Sequence, residues 1–203
     1  MRAAPVQDSP AAGRAPPFAQ KDMHMPLLPR QPVPGLIIDT LDHGTFDLAS
    51  ETPDFATLVV FYRGLHCPIC ATYLKELERL TPDFAERGVT TIAISSDGEE
   101  RTRAMAEKVG ATALRFGYGL PLGLAREWGL YVSTGRGTTS IGIEEPELFS
   151  EPGVFLVRTD GTLYFASVQT MPFVRPHFQE MVGALDFVRK NNYPARGEYT
   201  GAV

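Results

Sequence analysis

Leu58-Val59-Val60-Phe61-Tyr62 is an unbroken apolar run that leads, after Arg63-Gly64-Leu65-His66, into Cys67-Pro68-Ile69-Cys70. A run apolar at every position, not at alternate ones, reads as a strand covered on both faces, as in a parallel sheet. Residues 68–79 then carry Ile69, Tyr73, Leu74 and Leu77 at helical spacing, with Leu80 just beyond. Pro68 suits the first turn of that helix, where its missing N–H costs nothing. Cys67 therefore stands where a buried strand turns into a helix.

The elements that follow fit the same architecture. Pro82 is expected to break or kink the helix and Gly88 to end it. Residues 89–95 read as a second strand, 98–109 as a charged helix and 122–128 as a short helix. Residues 134–147 are glycine-rich and then acidic, and read as a loop. Residues 153–157 and 162–168 form a hairpin about Asp160-Gly161, and 177–190 a closing amphipathic helix. Upstream, 36–38 and 45–48 flank Asp42-His43-Gly44 as a small hairpin. The expectation is one α/β domain over 34–191, a mixed central sheet flanked by helices with a short N-terminal hairpin. The first two parallel strands are joined by a right-handed crossover. Residues 1–33 read as a disordered or extended arm, with Met23 or Met25 as an alternative start, and 192–203 as a polar tail.

The chain has 203 residues, 43% of them hydrophobic, and a formal net charge of −5. That supports one substantial core and gives no basic patch, so neither nucleic acid nor an anionic membrane surface is expected as a partner. The longest apolar stretches are too short to span a bilayer. The first 20 residues lack a continuous apolar segment of the secretory kind, and the default expectation is cytoplasmic.

There are two cysteines, both in one tetrapeptide. So small a loop cannot staple a fold, which makes their value chemical. A thiolate at Cys67 would face the N–H groups and positive dipole end of the helix, and such settings lower a thiol pKa to roughly 3.5–7.5. Cys70, one turn on, lies within disulfide reach. Arg63 and His66 are placed to add positive charge. The competing reading, half of a zinc site, wants two further ligands that the scattered histidines do not offer. His24, His43 and His177 read as surface or helix-packing residues and Trp128 as core. Pro152, just before a buried strand, is an edge residue or the site of a cis bond. Strand ends on the cysteine side would line the site, bringing in Ser96 and Asp97 after the second strand and Thr170 and Met171 after the hairpin.

Phe61-Tyr62-Arg63-Gly64 running into Cys67-Pro68-Ile69-Cys70, with 151–157 and Asp160-Gly161 later, resembles the alkyl hydroperoxide reductase / thiol-specific antioxidant group of thioredoxin-like proteins. The branch it most resembles is the peroxiredoxin-like one that keeps a CxxC, and the likeness spans roughly residues 34–191. It implies a thioredoxin-like fold. Likeness to thioredoxins implies Cys67 as the attacking thiol, Cys70 as the resolving thiol and Pro152 as a cis-proline facing them. The tryptophan that usually precedes the first cysteine is His66 here, and the assisting aspartate falls at Phe61. The peroxiredoxin pattern P-x-x-x-[TS]-x-x-C, aligned on Cys70, puts Arg63 at the proline and Cys67 at the threonine. The peroxiredoxin arginine falls at Pro152.

These departures favour thiol–disulfide exchange, in which Cys67 attacks a substrate disulfide and Cys70 releases it. The alternatives are a thiol peroxidase reducing hydrogen peroxide or organic hydroperoxides, a non-catalytic redox-sensing module, and a zinc-binding structural domain. The expected partners are a disulfide or peroxide substrate and an external reductant of thioredoxin or glutathione type. No metal or organic cofactor is required, and a homodimer is compatible with exposed apolar edges.

Overall fold

The computed structural model describes residues 27–203; the expectations for residues 1–26 lie outside the described residues. Nine strands and four α-helices follow in the order β1 (Ile37–Thr40), β2 (Thr45–Asp47), β3 (Ala56–Phe61), α1 (Pro68–Glu86), β4 (Val89–Ile94), α2 (Glu99–Val109), β5 (Arg115–Tyr118), α3 (Leu122–Glu127), β6 (Val132–Thr134), β7 (Leu148–Ser150), β8 (Gly153–Arg158), β9 (Leu163–Val168) and α4 (Phe178–Asn191). The main sheet runs β2-β1-β5-β4-β3-β8-β9. β3, β4 and β5 are parallel, whereas β8 and β9 close one side antiparallel and β1 and β2 the other.

β3 is the centre, and its alternating side chains divide the core in two. Leu58, Val60 and Tyr62 face α1, α2 and α4 together with Leu74, Leu77, Phe84 and Phe178. Val59 and Phe61 face the other way, onto Phe155 and Trp128. Trp128 is fully buried edge-on to Phe61 and Phe155, at centroid distances of 5.4 and 5.0 Å. Every residue of β3 is buried, as the unbroken apolar run requires.

α1 runs seven residues further than the 68–79 pattern suggested, straight through Pro82 to Glu86. Pro82 is exposed, and the Leu80 and Phe84 side chains on either side of it are buried in the core. Their burial outweighs the one backbone hydrogen bond that a proline removes. Cys70 lies on this same buried face, with Ala71, Leu74 and Leu77.

Residues 134–147 are not a simple loop. They connect β6 and β7, which pair as a two-stranded ribbon carrying the 135–147 tip. β5 was not anticipated; it fills the space between β4 and β1. Arm residues 30–33 bond to the start of β9, with Arg30 N–H donating to Leu163 O at 2.8 Å. The 192–203 tail docks at the same end: Tyr164 donates to Tyr193 O and Arg30 to Ala195 O. β8 pairs its Arg158 end with the start of β3 and its Gly153 end with Phe61, so the tail sits away from the cysteines.

Candidate active site

Cys67 is the N-cap of α1. Its backbone is extended (φ −100°, ψ 103°) and its Sγ accepts the Cys70 N–H at 3.3 Å, the place a serine or aspartate oxygen usually takes. The Cys70 thiol also donates to Cys67 Sγ, at 2.6 Å, and both cysteines are free. These two bonds outweigh burial and, with Arg175 and Arg63 nearby, bring the Cys67 thiol down to about 6. Burial, then the bond to Cys67, pushes Cys70 the other way, well above the ordinary thiol range. The pair is thus divided into a thiolate and a thiol, and the thiolate is the one beside the cleft.

Arg175 was missed from the sequence. Its Nη2 lies 3.2 Å from Cys70 Sγ and 3.8 Å from Cys67 Sγ. Nε donates to Pro172 O, and the guanidinium lies 5.1 Å from the Tyr73 ring centre. Tyr73 in turn donates to Pro176 O, so α1 holds one end of the short Arg175 loop. The rim expected from the sequence, Thr170 and Met171, ends short of Arg175. The usable signal was an arginine bracketed by Pro172 and Pro176, on the segment returning to the cysteine side, in a chain with proline at the expected arginine position.

The residues singled out from the sequence divide. Arg63 is at the site, 3.2 Å from Glu145 and 3.4 Å from Glu151, with Phe149 of β7 beneath its guanidinium. Its charge is therefore largely offset. His66 is fully buried against Phe149, with ring centres 4.6 Å apart. Burial and the Arg63 charge lower its pKa to about 4, so it is neutral near pH 7 and adds no positive charge to Cys67, contrary to expectation. Pro152 follows a trans peptide bond, since no described bond is cis; the cis-proline expectation is corrected. It is buried, and its carbonyl accepts the Gln169 N–H.

Asp97 is no rim residue. It is buried, its Oδ2 accepts the Leu65 N–H at 2.7 Å and its Oδ1 pairs with Arg101 at 3.0 Å. It pins the turn that delivers Cys67. Gly64 has φ +138°, and a Cβ there would stand 2.6 Å from Asp97 Oδ2. Gly64→Ala is therefore expected to lower stability by about 2–3 kcal/mol, read from a urea unfolding midpoint. Ser96, Thr170 and Met171 do not line the cleft beside Cys67. That cleft, of about 450 Å³, is bounded by Arg63, Cys67, Ile69, Arg136, Thr139 and Phe173 among others. The 135–147 tip thus supplies one wall and the Arg175 loop the other. No group of three or more metal-binding side chains gathers among the described residues, and no described helix is long and apolar enough to cross a membrane.

Residues 29–166 match the family model described as AhpC/TSA family. The chain belongs to the AhpC/TSA family. Members of this family are thiol-dependent oxidoreductases, and the chain is one of them. No curated protein matches it in sequence. Its fold is that of solved AhpC/TSA-type structures. Peroxidoxin BcpB from Mycobacterium tuberculosis is 17% identical with a TM-score of 0.63, over 80% of this chain and 99% of that one. The mitochondrial 2-Cys peroxiredoxin from Plasmodium falciparum is 18% identical, TM-score 0.63, over 81% and 96%. AhpC from Enterococcus faecalis is 16% identical, TM-score 0.63, over 83% and 97%. The thioredoxin-like mixed sheet with flanking helices is shared throughout.

The site fixes a pH dependence for this AhpC/TSA protein. Cys67 is depressed, so its thiolate is present above pH ~6 and is lost below, and reaction with an electrophile should fall about tenfold per unit under that value. The largest cause is the Cys70 S–H bond. In Cys70→Ala the midpoint of the thiolate ultraviolet absorbance is accordingly expected to rise.

Proposed function

We propose that this protein is a thiol peroxidase in which Cys67 reduces a hydroperoxide and Cys70 resolves the product. One observation carries the choice: Cys67, which holds the activated sulfur, is only 3% exposed where it borders the cleft. A hydroperoxide oxygen reaches such an atom, whereas a protein disulfide must bring a bulky group in line with it. This reverses the order the sequence suggested, where disulfide exchange came first.

The steps follow from the sulfur geometry. The Cys67 thiolate attacks one peroxide oxygen and the O–O bond breaks. The leaving oxygen takes the Cys70 thiol proton, which already points at the reacting sulfur. Alcohol or water departs, leaving a Cys67 sulfenic acid and a Cys70 thiolate. The thiolate that held Cys70 protonated is then gone, and Arg175, 3.2 Å away, stabilises the new charge. Cys70 Sγ attacks Cys67 Sγ, the S–S bond forms, the S–O bond breaks, and hydroxide leaves to solvent. An external thiol of thioredoxin or glutathione type re-reduces the disulfide. All three side chains come from one chain, so these steps need no second copy.

Disulfide exchange on a partner remains the second reading, favoured by Cys67 bordering the cleft while Cys70 is fully buried. Hydroperoxide consumption and insulin-disulfide reduction, run side by side with a dithiol reductant, separate the two. The proposal expects fast hydroperoxide loss and slow insulin reduction; the reverse result favours exchange.

A further inference from the structure

We infer that the cleft over Cys67 selects hydroperoxides carrying a carboxylate, with Arg136 as the group that binds it. This rests on the peroxidase reading and names its substrate class.

The cleft is too large for hydrogen peroxide alone. It holds about 450 Å³, whereas a water-sized molecule occupies roughly 30 Å³. Volumes of ~300–1,000 Å³ are those of sites for small organic molecules. Its walls suit such a molecule. Ile69, Pro172 and Phe173 offer apolar contact, and Thr138 and Ser140 bring hydroxyl side chains to its lining. Phe173 is 72% exposed, apolar surface at the mouth that a bound organic group would cover.

The charges in the cleft are unequal in their partnering. Arg63 faces both Glu145 and Glu151. The second Glu145 oxygen accepts the Arg136 backbone N–H at 2.8 Å, so both of its oxygens are engaged. The Arg136 guanidinium has no carboxylate within ion-pair distance among the described residues. It borders both the Cys67 cleft and the adjoining one lined by Val132 and Thr134. Arg136 is exposed and lines the same cleft as Cys67; a planar fork left without a carboxylate there is matched by one, which it can hold through two hydrogen bonds. The bound group would then point its hydroperoxide at Cys67. The carboxylate is not consumed, and the electron count is that of the steps above.

The test is steady-state turnover of the full chain with saturating dithiothreitol and three substrates: hydrogen peroxide, cumene hydroperoxide bearing a ring carboxylate, and the methyl ester of that acid. Wild type is expected to show a KM for the acid about tenfold below that for the ester. Arg136→Gln should raise the acid KM about tenfold, with the ester and hydrogen peroxide moving less than about twofold, and Arg136→Lys should restore part of the difference. Added salt should weaken the acid preference. Equal KM values for acid and ester in wild type, or equal shifts for both in Arg136→Gln, overturn the carboxylate site while leaving the peroxidase reading intact. Absence of turnover with all three substrates overturns that reading, and the site with it.

Discussion

Replacing Cys67 with serine should lower the rate of hydroperoxide consumption by at least about a thousandfold, because the activated nucleophile of the cleft is removed. Cys70→Ser should behave differently. Its Cys67 keeps the helix N-terminal position and the backbone N–H bond, but loses the S–H donor and the resolving sulfur. It should react once, more slowly, and stop at a sulfenic acid that a dimedone adduct reports by mass. A thioredoxin-type reductant should not return it to the cycle. If Cys70→Ser loses the first reaction and Cys67→Ser keeps it, the roles of the two sulfurs are reversed. Both variants should unfold at midpoints near wild type, since neither substitution changes the volume of the core much.

The second large effect is expected at Arg175. Its guanidinium faces both sulfurs and, among the described residues, has no carboxylate of its own within ion-pair distance. Arg175→Met removes a cation that lowers Cys67 and stabilises charge on the leaving oxygen and then on Cys70. Loss of one such preorganised donor costs about a hundredfold or more in rate. Part of this is loss of thiolate and should be recovered at high pH, where Cys67 ionises anyway. The remainder should persist across the pH profile, and Arg175→Lys should recover only a fraction, because lysine lacks the Nε donor that ties Arg175 to Pro172 O. A variant with the wild-type rate and the wild-type pH midpoint would remove Arg175 from the mechanism.

What the sequence conveyed most clearly was the strand–cysteine–helix unit, because three independent local rules agree there. An apolar run needs cover on both faces, Pro68 prefers a first turn, and the 3–4 spacing sets one buried face. Rules of that kind fail where tertiary contacts decide. β5 is only Arg115-Phe116-Gly117-Tyr118, with no readable alternation; its Gly117 is there because a Cβ would meet Ile38 and Ile94, each at 3.1 Å. The helix passes Pro82 because Leu80 and Phe84 are anchored on the far side of the chain. His66 looked like a cation beside Cys67 until the β6–β7 ribbon laid Phe149 over it. Arg175 reaches the sulfurs across 105 residues of sequence, a distance over which no local pattern carries information. The cysteines were legible, but the groups that set their charges were not, because those groups arrive from separate loops.

The central claim is that the paired sulfurs serve a hydroperoxide. The most direct test mixes fully reduced protein rapidly with one equivalent of hydrogen peroxide, without reductant, and follows thiol loss and the peptide masses of the product. The account expects Cys67 and Cys70 to disappear together, far faster than free cysteine reacts, with a Cys67–Cys70 disulfide as the product. Thiols consumed no faster than free cysteine, in a protein that reduces insulin disulfides readily, would contradict it.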